Sequence, residues 1–232
     1  MKSDSFCIKY TRRDESWLDG TDVAVPLEIT FSCGTANIEY YPAAEDIVSE
    51  FVKLYGAEER TMLSSSAMQW LNGKFDEFLG KYGFSISPDS AEYYICYRLE
   101  PRCLDMPDCV MKLSSVSEYN DLTDTDIEGL INGGYIIYAA IVDGNIAALA
   151  NTGVPIAEHS PEEIEIGVDT AQAYRKRGLG KACVASLTNE LYRMGHTVTY
   201  ECASRNIASV KLAESVGGEV SAKKIYIVGF AD

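Results

Sequence analysis

The sequence predicts a mixed α/β fold, and three observations carry that prediction. In residues 135–154, YIIYAAIVDGNIAALANTGV, two apolar runs flank Asp143-Gly144, a dipeptide that favours the positive φ angles of a tight hairpin. Residues 162–203 read as a strand, a basic glycine turn, an amphipathic helix and a second strand. From residue 110 to the end, strand and helix patterns alternate. Elements in this order make a mixed sheet, with the hairpin on one side and a strand–helix–strand unit on the other.

The amino-terminal part reads as a unit of its own. Residues 25–34 alternate as a strand, and 43–56 form a helix with Ile47, Phe51, Leu54 and Tyr55 on one face and Gly56 as its stop. Residues 57–84 place Met62, Leu63, Trp70, Leu71, Phe75, Phe78 and Leu79 near helical spacing, with Gly73 and Gly80 weakening the pattern. Residues 92–100, EYYICYRLE, are rich in aromatic and β-branched residues and predict a strand. The aperiodic stretch 101–109, with two prolines, predicts a boundary, giving domains at 1–105 and 106–232.

Beyond the boundary, 110–115 reads as a short strand and 117–133 as an acidic helix ending in glycines. Residues 162–170 form a strand. Residues 178–195 form a helix whose apolar stripe is Leu179, Cys183, Leu187, Leu191 and Met194, closed by Gly195. Residues 196–203 form a strand, 206–218 a helix capped by Asn206, and 223–230 a final strand.

Composition narrows the partners. There are 35 acidic against 20 basic residues, a net charge of −15, which repels nucleic acid and anionic membranes and suits a cationic or amine substrate. Solubility alone is the other reading of that charge. The seven cysteines, at 7, 33, 96, 103, 109, 183 and 202, form no paired motif and fit reduced thiols. With only two histidines, His159 and His196, no metal site is expected. No apolar signal core or membrane-length apolar run is present, so a cytoplasmic protein is expected.

Against that acidic background, AYRKRGLGKA at 173–182 gathers Arg175, Lys176, Arg177 and Lys181 where a helix begins. A helix start already carries partial positive charge, and each exposed cation there is disfavoured by about 0.3–1 kcal/mol. An anion in the turn would reverse that balance. Gly178 and Gly180 allow close backbone approach, and exposed N–H groups beside cations form a phosphate cradle. A solvated basic turn is the alternative. The P-loop pattern is excluded, because Arg175 stands at its first glycine and Ala182 at its hydroxyl residue. The dinucleotide pattern G-x-G-x-x-G is absent.

The spacing Arg175-x-x-Gly178-x-Gly180, after EIGVDTAQAY and before an amphipathic helix, resembles the acyl-CoA-binding motif of the Gcn5-related N-acetyltransferase family. Downstream, YECASRNIASVKLAESVGG is similar to that family's next block, with Asn206, Ser209, Leu212, Ala213 and Gly217 at matching intervals. Tyr200 stands where the most similar subgroup usually carries tryptophan. The resemblance covers residues 110–230, and residues 1–100 resemble no known family.

The resemblance implies a mostly antiparallel sheet with one splayed parallel strand pair, at 166–170 and 197–203. Val168, Asp169 and Thr170 would offer backbone groups to the pantetheine arm. Arg175, Lys176, Arg177, Gly178, Leu179, Gly180, Lys181 and Ala182 would hold the pyrophosphate, with Asn206 and Ser209 lining the far side. It implies acetyl-CoA as co-substrate, no metal, and direct transfer of an acyl group to an amine on a small molecule or protein. A glutamate before the turn would be the base; Glu163 and Glu165 share one face, and Glu165 lies nearer the splay. Ala213 replaces the tyrosine that many members use as acid, leaving Tyr200 and Tyr226 as candidates. Cys202 reads as a small buried residue. A non-catalytic acyl-CoA-binding module is the alternative function. The amino-terminal unit could be a second, degenerate copy of the fold, a lid, or the contact of a homodimer.

Overall fold

The computed structural model describes residues 6–13, 21–102, 107–116, 118–157 and 159–232. Two compact units are present, and each is taken by itself.

The first unit begins with β1 (Cys7–Arg12), β2 (Val23–Ser32) and β3 (Thr35–Tyr40). β2 and β3 form an antiparallel hairpin, and β1 pairs in parallel with β3. The hairpin turns at Cys33 and Gly34, with φ of 47° and 72°. Helix α1 (Glu45–Tyr55) has Glu45 and Asp46 in its first turn, where they complement the helix dipole. Its buried residues are Val48 and Phe51. Leu54, expected on the buried face, is 56% exposed, because the core-facing stripe runs through Val48 instead.

The expected helix over 57–84 divides into α2 (Glu59–Met62) and α3 (Ser65–Gly80). The break lies at Ser64, whose hydroxyl accepts from the Ala67 amide and starts a new helix. Met68, Leu71, Phe75, Phe78 and Leu79 of α3 join Leu27, Ile29 and Ile38 of the sheet in one core. Strands β4 (Phe84–Ile86) and β5 (Tyr93–Leu99) follow.

The second unit contains β6 (Val110–Leu113), β7 (Asn120–Asp121), α4 (Ile127–Asn132), β8 (Ile137–Val142), β9 (Asn145–Thr152), β10 (Glu163–Thr170), α5 (Leu179–Arg193), β11 (Thr197–Ala203) and α6 (Ile207–Ser215). It is mixed α/β with a mostly antiparallel sheet. β6/β8, β8/β9 and β9/β10 are antiparallel, and β10/β11 and β7/β9 are parallel. Asp143 and Gly144 turn the β8–β9 hairpin with φ of 50° and 75°.

The acidic helix expected over 117–133 shrinks to Ile127–Asn132. Residue 117 lies outside the described residues. The Asp121 carboxylate accepts from the Thr123 amide and hydroxyl, at 2.8 and 2.7 Å. Asp126 accepts from the Gly129 amide and caps α4. Short polar side chains here bond the local backbone and hold turns in place of helix.

Opposite faces of this sheet carry α4 and α5. Ile127 of α4 packs with Ile137, Ile146 and Leu149. On the other face α5 buries Leu179, Cys183, Leu187 and Leu191. Met194, expected in that stripe, is 45% exposed, because the helix stops at Arg193 before the left-handed Gly195.

The last strand, β12 (Glu219–Ala231), carries the chain into the first unit, which comprises Met1–Ile95, Ala203–Arg205 and Ser221–Asp232. The second comprises Cys96–Cys202 and Asn206–Val220. β12 pairs antiparallel with β2 and β4, and its Ile225 and Ile227 lie in the first unit's core. The Arg205 guanidinium meets Glu92 at 2.5 Å, fixing the 203–205 segment there.

Because Phe75 is fully buried in this core, Phe75→Ala is expected to lower unfolding free energy by about 3–5 kcal/mol in chemical denaturation.

Candidate active site

β10 and β11 pair at only three positions: Glu163 with Thr197, Ile164 with Val198 and Glu165 with Thr199. Both strands continue, to Thr170 and Ala203, without pairing to each other. From Ile166 onward β10 pairs with β9 instead. The parallel pair therefore splays open beyond Glu165 and Thr199.

Alternation decides which backbone groups face the opening. The Gly153 amide donates to the Glu165 carbonyl, and the Ala171 amide to the Ala147 carbonyl. Odd-numbered residues of β10 thus turn their backbone groups toward β9, and Ile166, Val168 and Thr170 turn theirs toward the opening. The Thr170 carbonyl is already engaged by Arg175 Nε at 3.0 Å. Asp169 is placed differently from its neighbours. Its backbone faces β9, and its carboxylate accepts from the Asp124 amide at 2.8 Å and the Thr125 hydroxyl at 3.5 Å, holding the approach to α4.

A short 3-10 turn, Gln172–Tyr174, links β10 to the basic segment. Lys176 has φ 61° and Gly178 φ 78°, so the chain passes twice through the left-handed region before α5 begins. The amides of Tyr174 and Arg175 bond back to Ala171 and Gln172, and that of Ala182 bonds to Gly178. The six amides of residues 176–181 donate to no acceptor among the described residues. Arg175 ties the turn to the end of β10, and the Arg177 guanidinium lies 5.1 Å from the Tyr174 ring centre. Lys176 and Lys181 form no ion pair among the described residues. The result is a set of unbonded amides and cations at the amino end of a 15-residue helix.

Gly180 fixes how close that end comes to the strand. A Cβ there would lie 2.8 Å from Thr170 Oγ1, 3.4 Å from Val168 Cγ2 and 3.5 Å from Leu212 Cδ1. The start of α5, the end of β10 and the middle of α6 thus meet around one missing side chain.

Asn206 caps α6, accepting from the Ser209 amide at 3.2 Å. Tyr200 of β11 lies one residue past the last β10–β11 pair. Burial pushes the Tyr200 pKa up, the nearby Ser209 hydroxyl opposes this, and Cys202 adds to it, so the phenol is protonated at neutral pH. Ala213 is fully buried. Burial, with help from Glu201, raises the Cys202 thiol to about 11, and burial raises Cys183 to about 12. Neither is a thiolate near neutral pH, which removes them as nucleophiles.

Glu163 and Glu165 are both exposed, on the face of β10 opposite the buried Ile164 and Ile166. The register puts Thr197, Thr199 and Glu201 of β11 on that same face. Glu201, which sequence reasoning passed over, sits just beyond the point of divergence. Its carboxylate accepts from the Cys96 thiol at 3.1 Å. Two-residue parity with Thr197 and Thr199 was the signal that could have found it. A cleft of about 270 Å³ lined by Met111, Lys112, Leu113 and Tyr119 lies along β6 and contains none of these residues.

A strand pair that opens beside a helix start with amides unbonded among the described residues is the arrangement that the resemblance implied. Residues 115–226 match the GNAT acetyltransferase family model. That stretch, just under half of the chain, is similar to GNAT acetyltransferases, whose co-substrate is acetyl-CoA. Among solved structures it is similar to a Drosophila protein, with 15% identity and a TM-score of 0.50 over 68% of this chain and 57% of that one. A GNAT-family protein from Novosphingobium aromaticivorans DSM 12444 shows 20% identity and a TM-score of 0.48 over 65% and 69%. A GCN5-related N-acetyltransferase from Kribbella flavida shows 17% identity and a TM-score of 0.45 over 67% and 63%. The chain thus spans between 57% and 69% of these proteins' lengths. No curated protein matches it. Among the described residues no helix is long and apolar enough to cross a membrane, and no cluster of potential metal ligands occurs.

Thiol alkylation at pH 8 is expected to modify exposed Cys7 and Cys33 and to spare Cys183 and Cys202 until denaturant is added. Peptide mass mapping of the alkylated sites reads the result. Gly180→Val is expected to weaken CoA binding at least tenfold, read by calorimetry, because its side chain would press on Thr170 and Leu212.

Proposed function

We propose that this chain moves an acetyl group from acetyl-CoA directly to an amine acceptor, on a small molecule or a protein. The observation that carries the proposal is the run of unbonded amides at 176–181, set beside the opening between β10 and β11. Those amides, with Lys176, Arg177 and Lys181, hold the CoA pyrophosphate. Ala182 continues the turn but keeps its amide in the helix. Arg175 holds the turn against Thr170. Backbone groups of Val168 and the Thr170 amide bond the pantetheine arm, as an edge strand would, and Asp169 braces this strand from its other side. Asn206 and Ser209 line the far wall.

The thioester is already activated, so the protein mainly orients it and removes a proton from the amine. Glu165 is the base, with Glu163 beside it one strand repeat away and Glu201 across the divergence. The acidic balance of the chain favours approach of a cationic amine. Protonated Cys183 and Cys202 support direct transfer over an acyl-cysteine route.

Thiol release from acetyl-CoA, measured across an amine library, tests this reading. Arg175→Ala is expected to raise the CoA dissociation constant at least tenfold, about 1.4 kcal/mol. Glu165→Gln should retain CoA binding and lose about 10²-fold or more in kcat. CoA binding without thiol release for any amine would favour a non-catalytic acyl-CoA-binding module. Unchanged behaviour in both variants would remove these residue assignments.

A further inference from the structure

We infer that the acceptor nitrogen seats on the bare backbone of Gly167, and that Asn151 selects a primary amine there by accepting the N–H that the nitrogen keeps in the product. This rests on the transfer reading above and adds to it a substrate class and a specificity-determining residue. Gly167 lies inside β10 and pairs with Asn151 of β9 in an unbroken register. Its φ is outside the left-handed region, so backbone conformation does not call for glycine. A glycine inside a strand weakens it and marks a bulge, a close backbone or a ligand. The register excludes a bulge. The three atoms nearest to a Cβ built on Gly167 all belong to the Asn151 side chain, Oδ1 at 3.2 Å, Nδ2 at 3.7 Å and Cγ at 3.8 Å, so no backbone presses there. A ligand is the reason that remains.

Because β10 leaves β11 after Glu165, Gly167 stands just inside the opening. Two-residue parity puts its missing side chain on the face of Glu163 and Glu165, and Asn151, directly opposite, shares that face. The Asn151 Nδ2 donates to the Thr152 carbonyl at 2.9 Å, which fixes the carboxamide and turns Oδ1 over Gly167. That oxygen accepts no hydrogen bond among the described residues. Asn151 and Gly167 are both half-buried. Gly153 comes next on the same side of β9, its amide donating to the Glu165 carbonyl at 2.7 Å. A Cβ on Gly153 would lie 3.0 Å from that oxygen and 3.7 Å from Glu165 Cβ. The Glu165 side chain thus rises between two bare positions, with Asn151 Oδ1 across from it.

A neutral primary amine brings one lone pair and two hydrogens, and each finds its place here. The lone pair forms the bond from nitrogen to the carbonyl carbon. One proton passes to Glu165. The other hydrogen stays on nitrogen, donates to Asn151 Oδ1 and remains as the N–H of the product amide. The carbon–sulfur bond breaks with its electron pair on sulfur, which takes a proton from solvent as solvent receives the one held by Glu165. A secondary amine gives its single hydrogen to Glu165 and has none left for Asn151. A site built to bond an N–H discriminates against the analogue that lacks it, because its own polar group is left unpaired.

The test sets Asn151→Ala beside the parent on two acceptors, the best primary amine of the library and its N-methyl derivative. Thiol release gives kcat/KM for each, calorimetry gives the CoA dissociation constant, and thermal unfolding checks the fold. The parent is expected to favour the primary amine by about tenfold or more. Asn151→Ala should lose about tenfold on the primary amine and little on the N-methyl amine, with CoA binding within about threefold of the parent. Gly167→Ala, whose methyl occupies the seat against Asn151 Oδ1, should raise the KM of the primary amine about tenfold or more and leave CoA binding within about threefold. A parent without preference for the primary amine overturns the inference, as does a parent-like KM in Gly167→Ala. An equal fall on both amines in Asn151→Ala overturns it too, since that would make the residue structural. A parent protein that binds CoA but releases thiol with no amine overturns the transfer reading itself, and the inference with it.

Discussion

The feature on which the site depends is a change of hydrogen-bonding partner along one strand. β10 is bonded to β11 through Glu165 and to β9 from Ile166 onward. A backbone that left its amides and carbonyls in an apolar interior would carry a large penalty. Here the unpaired edge of β10 faces an opening that an extended, amide-bearing ligand can complete. The odd-numbered residues stay bonded to β9, so the strand remains rigid while Val168 and Thr170 present their backbone outward.

The second constraint is electrostatic. A chain with a net charge of −15 brings four cations to one helix start. The structure divides their work. Arg175 and Arg177 brace the turn through Thr170 and Tyr174, and Lys176 and Lys181 remain as charges beside six amides that are unbonded among the described residues. Lys176 takes a left-handed φ that a non-glycine residue rarely adopts. Local strain of this kind, of order 1–3 kcal/mol, is typical of ligand clamps. On the opposite face of the same strands, Glu163, Glu165 and Glu201 gather negative charge. Positive and negative charge are thereby held on different sides of one sheet.

The first unit has a core of its own, built from α1, α3 and the sheet of β1, β3, β2 and β12. Its aromatic residues serve that core. Phe51 and Trp70 stack with centroids 6.0 Å apart, and Phe75 and Phe78 meet edge-on at 5.7 Å. The unit takes its last strand from the carboxyl end of the chain, after the transferase motifs have been read. An alternating apolar strand such as 225–229 pairs wherever a complementary edge is open, and β2 supplies it.

The sequence by itself determined the elements whose signals are local. Asp143-Gly144 made the hairpin, the stripe from Leu179 to Leu191 made α5, and the motif around Gly178 and Gly180 marked the turn. These depend on a residue's own backbone preference or on helical period, which a chain displays in one dimension. Other outcomes turned on competition between neighbours. Ser64 divided one expected helix into two, and Asp121 with Asp126 shortened another, because short polar side chains captured nearby amides. The point at which β10 parts from β11 was beyond one-dimensional reading, since it needs the register of the two strands. The destination of β12, the outward turn of Val168 and the tight fit at Gly180 were likewise decided by tertiary structure. Each is fixed by which strand or helix lies alongside, and spacing along the chain does not encode that distance.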